Sequence, residues 1–185
     1  MPAPDDVIAL TRTWIERAVI GLNLCPFAKA VYINEQIRYV VSEATTQEAL
    51  LMDLQRELQR LTATAPRDVD TTLLIHPRVL ADFLDYNDFL TASEALVDEM
   101  SLSGVVQIAS FHPAYQFAGT DAADPTNNTN RSPYPMLHLL REASVERAVD
   151  GFPDADGIYL KNIETMRRLG AAGWMALAVT APKTT

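Results

Sequence analysis

Apolar positions recur with helical spacing at the start of the chain: Ile8, Trp14, Ile15, Ala18, Val19 and Leu22 follow the acidic pair Asp5-Asp6. Acidic residues in a first turn favour the positive end of a helix dipole, so the pattern predicts a helix over about 5–22, halted by Pro26. QIRYVVSEA (36–44) changes to β-branched and aromatic residues and predicts a strand. Thr45-Thr46-Gln47-Glu48 then has the spacing of a capping box, with Thr45 as the cap, and Leu51, Leu54, Leu58 and Leu61 mark one face of the helix that follows. DTTLLIHP (70–77) predicts a buried strand, 79–100 a helix in two pieces broken at Asn87-Asp88, with a second capping box at Thr91 and Glu94, and GVVQIASF (104–111) a third strand. Ser132-Pro133 resembles a helix start, and a helix is predicted from there to about Val149. A loop at 152–157, a last helix over 158–169 ended by Gly170, and an ambiguous stretch GWMALAVT complete the chain.

Strand, helix, strand, helix, strand is the order of parallel units with right-handed crossovers. The predicted fold is therefore α/β: a small, mainly parallel, three-stranded sheet with helices around it. Residues 27–33 or 174–180 are candidates for a fourth strand. The expected organisation is one globular domain over 1–180 with a frayed tail at 181–185. Ligands of such sheets sit beyond the carboxyl ends of the strands. Two of those ends read His76-Pro77 and His112-Pro113.

Next to the second His-Pro lies SFHPAYQFAGTDAADPTNNTNRSPYP (110–135), which has neither the helical nor the strand repeat. Structureless loops beyond ~12–15 residues are uncommon in compact domains and are usually functional or disordered. This one supplies His112, Tyr115, Asp121, Asp124, Asn127, Asn128, Asn130, Arg131 and Ser132. Histidine titrates near neutrality and suits acid–base work, so His112 is the candidate catalytic residue, with Tyr115 and Asp121 beside it. Arg131 ahead of a helix start at Ser132 would form an anion clamp, with Asn128, Asn130, Cys25 and His138 as further substrate-binding candidates. The same residue types also brace turns by bonding backbone groups, and Arg131 has Asp121 and Asp124 within reach of an ion pair.

Charge and composition narrow the partners. The 185 residues carry 15 Lys and Arg against 24 Asp and Glu, for a net charge of −9. That balance disfavours nucleic acid and anionic membranes, and leaves room for a local basic pocket holding a small anionic molecule. No apolar run reaches the ~20 residues of a membrane span, no basic leader opens the chain, and the single Cys25 suits a reducing cytoplasm. Cys25 in CPFA matches a four-residue stretch of omega-class glutathione transferases, but there a strand precedes the motif, whereas here a helix does. A buried thiol is the simpler reading. His76, His112 and His138 with a loop aspartate would supply zinc's ligand types, without any HxH, HExxH or CxxC spacing. GxGxxG, P-loop and GxSxG motifs are absent. Lys161, Arg167 and Arg168 read as a solvated helix strip.

LNLCPFA around Cys25, TTLLIHP (71–77), FHPAYQFAGT (111–120) and TNRSPYPMLHLLREASVERA together resemble the bacterial family called domain of unknown function 1415, over nearly the whole length. The resemblance implies a single soluble domain, and it carries over no agreed activity, substrate, cofactor or catalytic residue, which leaves the cofactor unknown. Two functional readings stay open. One is a cytoplasmic enzyme that performs hydrolysis or group transfer on a small anionic metabolite at the 111–135 loop. The other is a non-catalytic module, binding a partner through exposed Tyr115, Phe117 and Tyr134, or a metal through the three histidines.

Overall fold

The computed structural model describes residues 2–151 and 157–182. Helix α1 (Pro4–Trp14) runs on into one π-helical stretch, Ile15–Ile20, and a short α2 (Ala28–Ile33) follows the Pro26 turn. Then come β1 (Ile37–Val41), α3 (Gln47–Ala63), β2 (Thr71–Ile75), α4 (Phe83–Glu99), β3 (Val106–Phe111) and a 3-10 turn at Pro125–Asn130. β4 (Met136–Arg141), α5 (Glu142–Asp150) and α6 (Ile158–Ala176) finish the chain.

The sheet has four strands in the order β1-β2-β4-β3. β1 and β2 are parallel, and β4 lies antiparallel between β2 and β3. The expected three-stranded, mainly parallel sheet is thus corrected to a mixed one. Its fourth strand comes from within the predicted 132–149 helix, not from 27–33, which is α2, nor from 174–180, which is the end of α6 and a turn. The physical reason is Pro135. A residue before proline is disfavoured in the α region, so Pro133 and Pro135 turn Ser132 and Tyr134 away from helix and the chain enters Met136 as a strand. Helix begins only at Glu142.

Both faces of the sheet are covered, which is why the central strand β2 is buried at every position. Leu74, Leu137 and Leu139 face α3 and α4 in a core with Leu50, Leu54, Leu58, Leu61, Tyr86 and Phe89. Leu73, Ile75 and Met136 face the other way, against Val7, Trp14, Met166 and Trp174 of α1 and α6.

Local signals account for most of the element ends. Thr46, one residue later than predicted, caps α3 by accepting the Ala49 N–H at 3.2 Å. Asp82 caps α4, which runs unbroken through Asn87-Asp88, because Tyr86 and Phe89 bury there and hold the helix in register. Arg141 closes the other end of α3: its Nη2 donates to the carbonyls of Leu61, Thr64 and Val69 at 2.5, 2.6 and 3.0 Å. A cation at a helix C-terminus also meets the negative end of the dipole. Gly170 stops the last helix as predicted, yet the helix resumes beyond it. Its φ of 64° and ψ of −178° form a kink in a region that only glycine occupies readily. The expected loop at 152–157 lies outside the described residues except for Gly157, as does the end of the expected tail, 183–185.

Candidate functional site

β2 and β3 end side by side on either side of Met136, the first residue of β4, and this register brings His76 and His112 to one rim. Tyr86 of α4 stands between them. Its hydroxyl donates to the Met136 carbonyl at 2.8 Å and accepts the Phe111 N–H at 3.0 Å. The His76 ring stacks on Tyr86 with centroids 5.8 Å apart, and the His112 ring lies 5.0 Å from Tyr86. Phe83 packs on His112 and on Tyr115, and Tyr115 on Phe117, extending the cluster into the loop.

Both imidazoles are buried and neutral. His112 accepts the Ala114 N–H at Nδ1 (3.0 Å), so its Nε2 carries the proton and donates it to the Leu80 carbonyl (3.1 Å). Burial pushes its pKa down. His76 donates from Nδ1 to the Val79 carbonyl at 3.1 Å, and its Nε2 is buried with no hydrogen-bond partner. Burial pushes the His76 pKa down to about 4. His138 does not lie in a helix but in mid-β4, where its Nε2–H donates to Thr71 Oγ1 at 2.6 Å and Thr71 donates to the Leu139 carbonyl. Burial lowers its pKa to about 4 as well. Among the described residues, no group of three or more His, Cys, Asp or Glu side chains is placed to hold a metal ion.

The 111–135 loop is folded down and braced by its own side chains. Asn127, fully buried, accepts from the Phe117 N–H and the Thr120 hydroxyl and donates to the Asp121 carbonyl. Asp124 caps the 3-10 turn through the Thr126 N–H and hydroxyl, which hold its carboxyl below the usual range. Asn130 joins the two roots of the loop: its amide donates to the Ser110 carbonyl and its own carbonyl accepts the His112 N–H.

Arg131 precedes no helix. Its guanidinium donates to the carbonyls of Tyr115 (3.2 Å) and Ala122 (2.8 Å) and to Asn128 Oδ1 (3.2 Å), not to Asp121 or Asp124. Ser132 likewise caps nothing, and its hydroxyl donates to the Tyr134 carbonyl at 2.7 Å. Asp121 is exposed. Tyr134, expected as an exposed anchor, is 7% exposed, and Tyr115 and Phe117 pack on each other. Cys25 sits in the turn before α2; burial raises its pKa against hydrogen bonds from Phe27 and Ala28. The structure therefore unites His76, His112, Tyr115, Arg131 and the asparagines in one braced unit, and leaves Cys25 and His138 outside it.

Three clefts of 340–470 Å³ are described, and none is lined by those loop residues. One lies between Leu22–Pro26 and α6. The second, about 420 Å³, opens at the start of β1 and is lined by Ile8 and Arg12 of α1, Ile37, Arg38 and Tyr39 of β1, Arg60 and Thr64 at the end of α3, and Val69. Arg12 lies over the Tyr39 ring, 4.5 Å from its centroid. Arg38 pairs with Glu57 at 2.8 Å, while among the described residues Arg60 has no ion-pair partner. The Tyr39 hydroxyl is buried and unpartnered, and desolvation raises its pKa to about 12. The third cleft, about 470 Å³, continues along the same strand, lined by Val40 to Ala44 with Ala49, Asp53, Arg56 and Glu57. There Ser42 donates to Asp53 at 2.5 Å, and Arg56 pairs with the same carboxylate. Sequence reasoning missed the arginine cleft because its members stand on three separate elements, and no motif joins them before the fold is known.

A four-stranded mixed sheet covered on both faces, with a braced loop over one rim and an arginine-lined cleft at the other end of its first strand, defines a mixed α/β domain. The chain belongs to the family described as Protein of unknown function (DUF1415), which matches over residues 6–176. No curated protein and no solved structure matches the chain significantly.

Proposed function

We propose that the protein binds a small anionic group, a carboxylate or phosphate, in the cleft between α1, β1 and the end of α3. The observation that carries this reading is the convergence of Arg12, Arg38 and Arg60 on one cleft of a chain whose net charge is −9. Arg38 is largely neutralised by Glu57, which leaves Arg12, lying over the Tyr39 ring, and Arg60 in the same lining to grip an anion. Tyr39 lines the same cleft with its ring under Arg12, while its hydroxyl is buried away from solvent. A volume of about 420 Å³ lies in the range of small-molecule sites. The expected anionic ligand is kept, but its seat moves from Arg131, whose donors all serve the loop, to this cleft. His112, at the opposite end of the sheet, does not face it, so the reading is one of binding rather than turnover.

Calorimetric titration with inorganic phosphate and with succinate tests it. Saturable binding that weakens with salt and falls at least tenfold in Arg60→Ala is expected. Equal binding by wild type and Arg60→Ala refutes it.

A further inference from the structure

Resting on that reading, we infer that the anion is presented by an extended peptide that adds as a strand to the free edge of β1. β1 is an outer strand, paired on one side only. Successive residues of a strand point to opposite faces, so one cleft can be lined by Ile37, Arg38 and Tyr39 together only where the strand's edge itself is open. The third cleft repeats the argument with Val40 and Val41. The two clefts follow one another along β1, Arg38 lining the first and its ion-pair partner Glu57 the second, and together they make the trough of this proposal.

The trough is polarised. Its first half carries Arg12, Arg38 and Arg60, and its second half carries Glu43, Asp53 and Glu57 against Arg56. A peptide with an acidic residue at one end and a basic residue about five positions away matches both halves, since ~3.3 Å per residue spans the length of β1. Main-chain bonds supply affinity in such additions, and end charges set direction. β1 has no proline, no lysine and an unbroken register with β2, and its one charged residue, Arg38, is paired with Glu57. A second copy of the chain is a poorer occupant. α1 and α3 both line the first half of the trough, so β1 lies at its floor, and a second sheet would bring its own helical layers against them.

The test uses two blocked peptides of one composition, Glu-Val-Thr-Val-Thr-Lys and Lys-Thr-Val-Thr-Val-Glu, with fluorescence anisotropy on the full chain. Each is also made with alternate amides N-methylated, in the two possible sets. Binding of one charge order at least tenfold tighter, abolished by one methylation set and kept by the other, is expected. Loss of that binding in Arg60→Ala, with the protein's circular dichroism unchanged, is expected too. Equal binding of both orders, insensitive to methylation, overturns strand addition and leaves the anion site standing. So does phosphate or succinate binding without peptide binding. A dimer in sedimentation that neither peptide disperses assigns the edge to a second copy and overturns the inference. Silence of every probe removes both readings.

Discussion

Lowering the pH from 7.5 to 4 should strip stability from this fold through its histidines, before most carboxylates titrate. His76 is fully buried, and its pKa is pushed from the ordinary 6.5 down to about 4. Between those values the unfolded chain binds a proton at this site that the folded chain refuses. Its contribution is therefore complete above pH 6.5, declines as pH falls, and levels off below about 4. The slope for one such group is about 1.4 kcal/mol per pH unit, which amounts to roughly 2 kcal/mol lost at pH 5 and roughly 3 at pH 4. His112 shifts in the same direction, and partly buried His138, also lowered to about 4, adds to the slope. A loss of that size is a large share of the ~5–15 kcal/mol typical of a domain. Urea unfolding at half-unit pH steps measures it. In His76→Phe, which keeps the ring against Tyr86, the dependence should flatten by about one proton's worth even if absolute stability drops. A stability profile flat from pH 6.5 to 4.5, or an imidazole resonance that titrates near 6.5 and vanishes in His76→Phe, would show the burial argument to be wrong.

Two further outcomes follow from the same rim. Tyr86→Phe removes the hydroxyl shared by the Met136 carbonyl and the Phe111 N–H, and should cost about 1–3 kcal/mol in urea unfolding while Phe111 amide exchange accelerates. Asn127→Ala deletes three bonds inside the 111–135 loop and should cost about 2–4 kcal/mol, with faster exchange confined at first to the Phe117 amide and its neighbours; an unchanged Phe117 amide counts against the bracing described.

Much of the fold was legible along the chain because its signals are local. The β-branched run IRYVV, the leucine face of α3 and the continuous apolar stretch TTLLI each announce their element, and each forms within about three residues of the expected bounds. MLHLL was not legible: a short apolar run buried on both sides looks alike as helix or strand, and only Pro135 tipped the balance. Misreading that strand put Arg131 and Ser132 at the head of a helix and His138 inside it, whereas helix starts only at Glu142. Within the loop, residue type announced polarity but not destination. Asn127, Asn128 and Arg131 had enough donors and acceptors for a ligand, and the chain's own carbonyls and amides took them. Arg12, Arg38 and Arg60 gave no warning, since their proximity arises only when α1 and α3 flank β1.

The position of β4 also governs when the molecule can come together during synthesis. The last strand to leave the ribosome is the one that joins β2 to β3, so until about residue 141 has emerged the nascent chain holds a β1–β2 pair and a stranded β3 with nothing to bond. Closure then waits on long-range contacts, which slow folding and prolong the exposure of unpaired edges. A holding chaperone would therefore matter most for this protein in the interval between the emergence of β3 and that of β4.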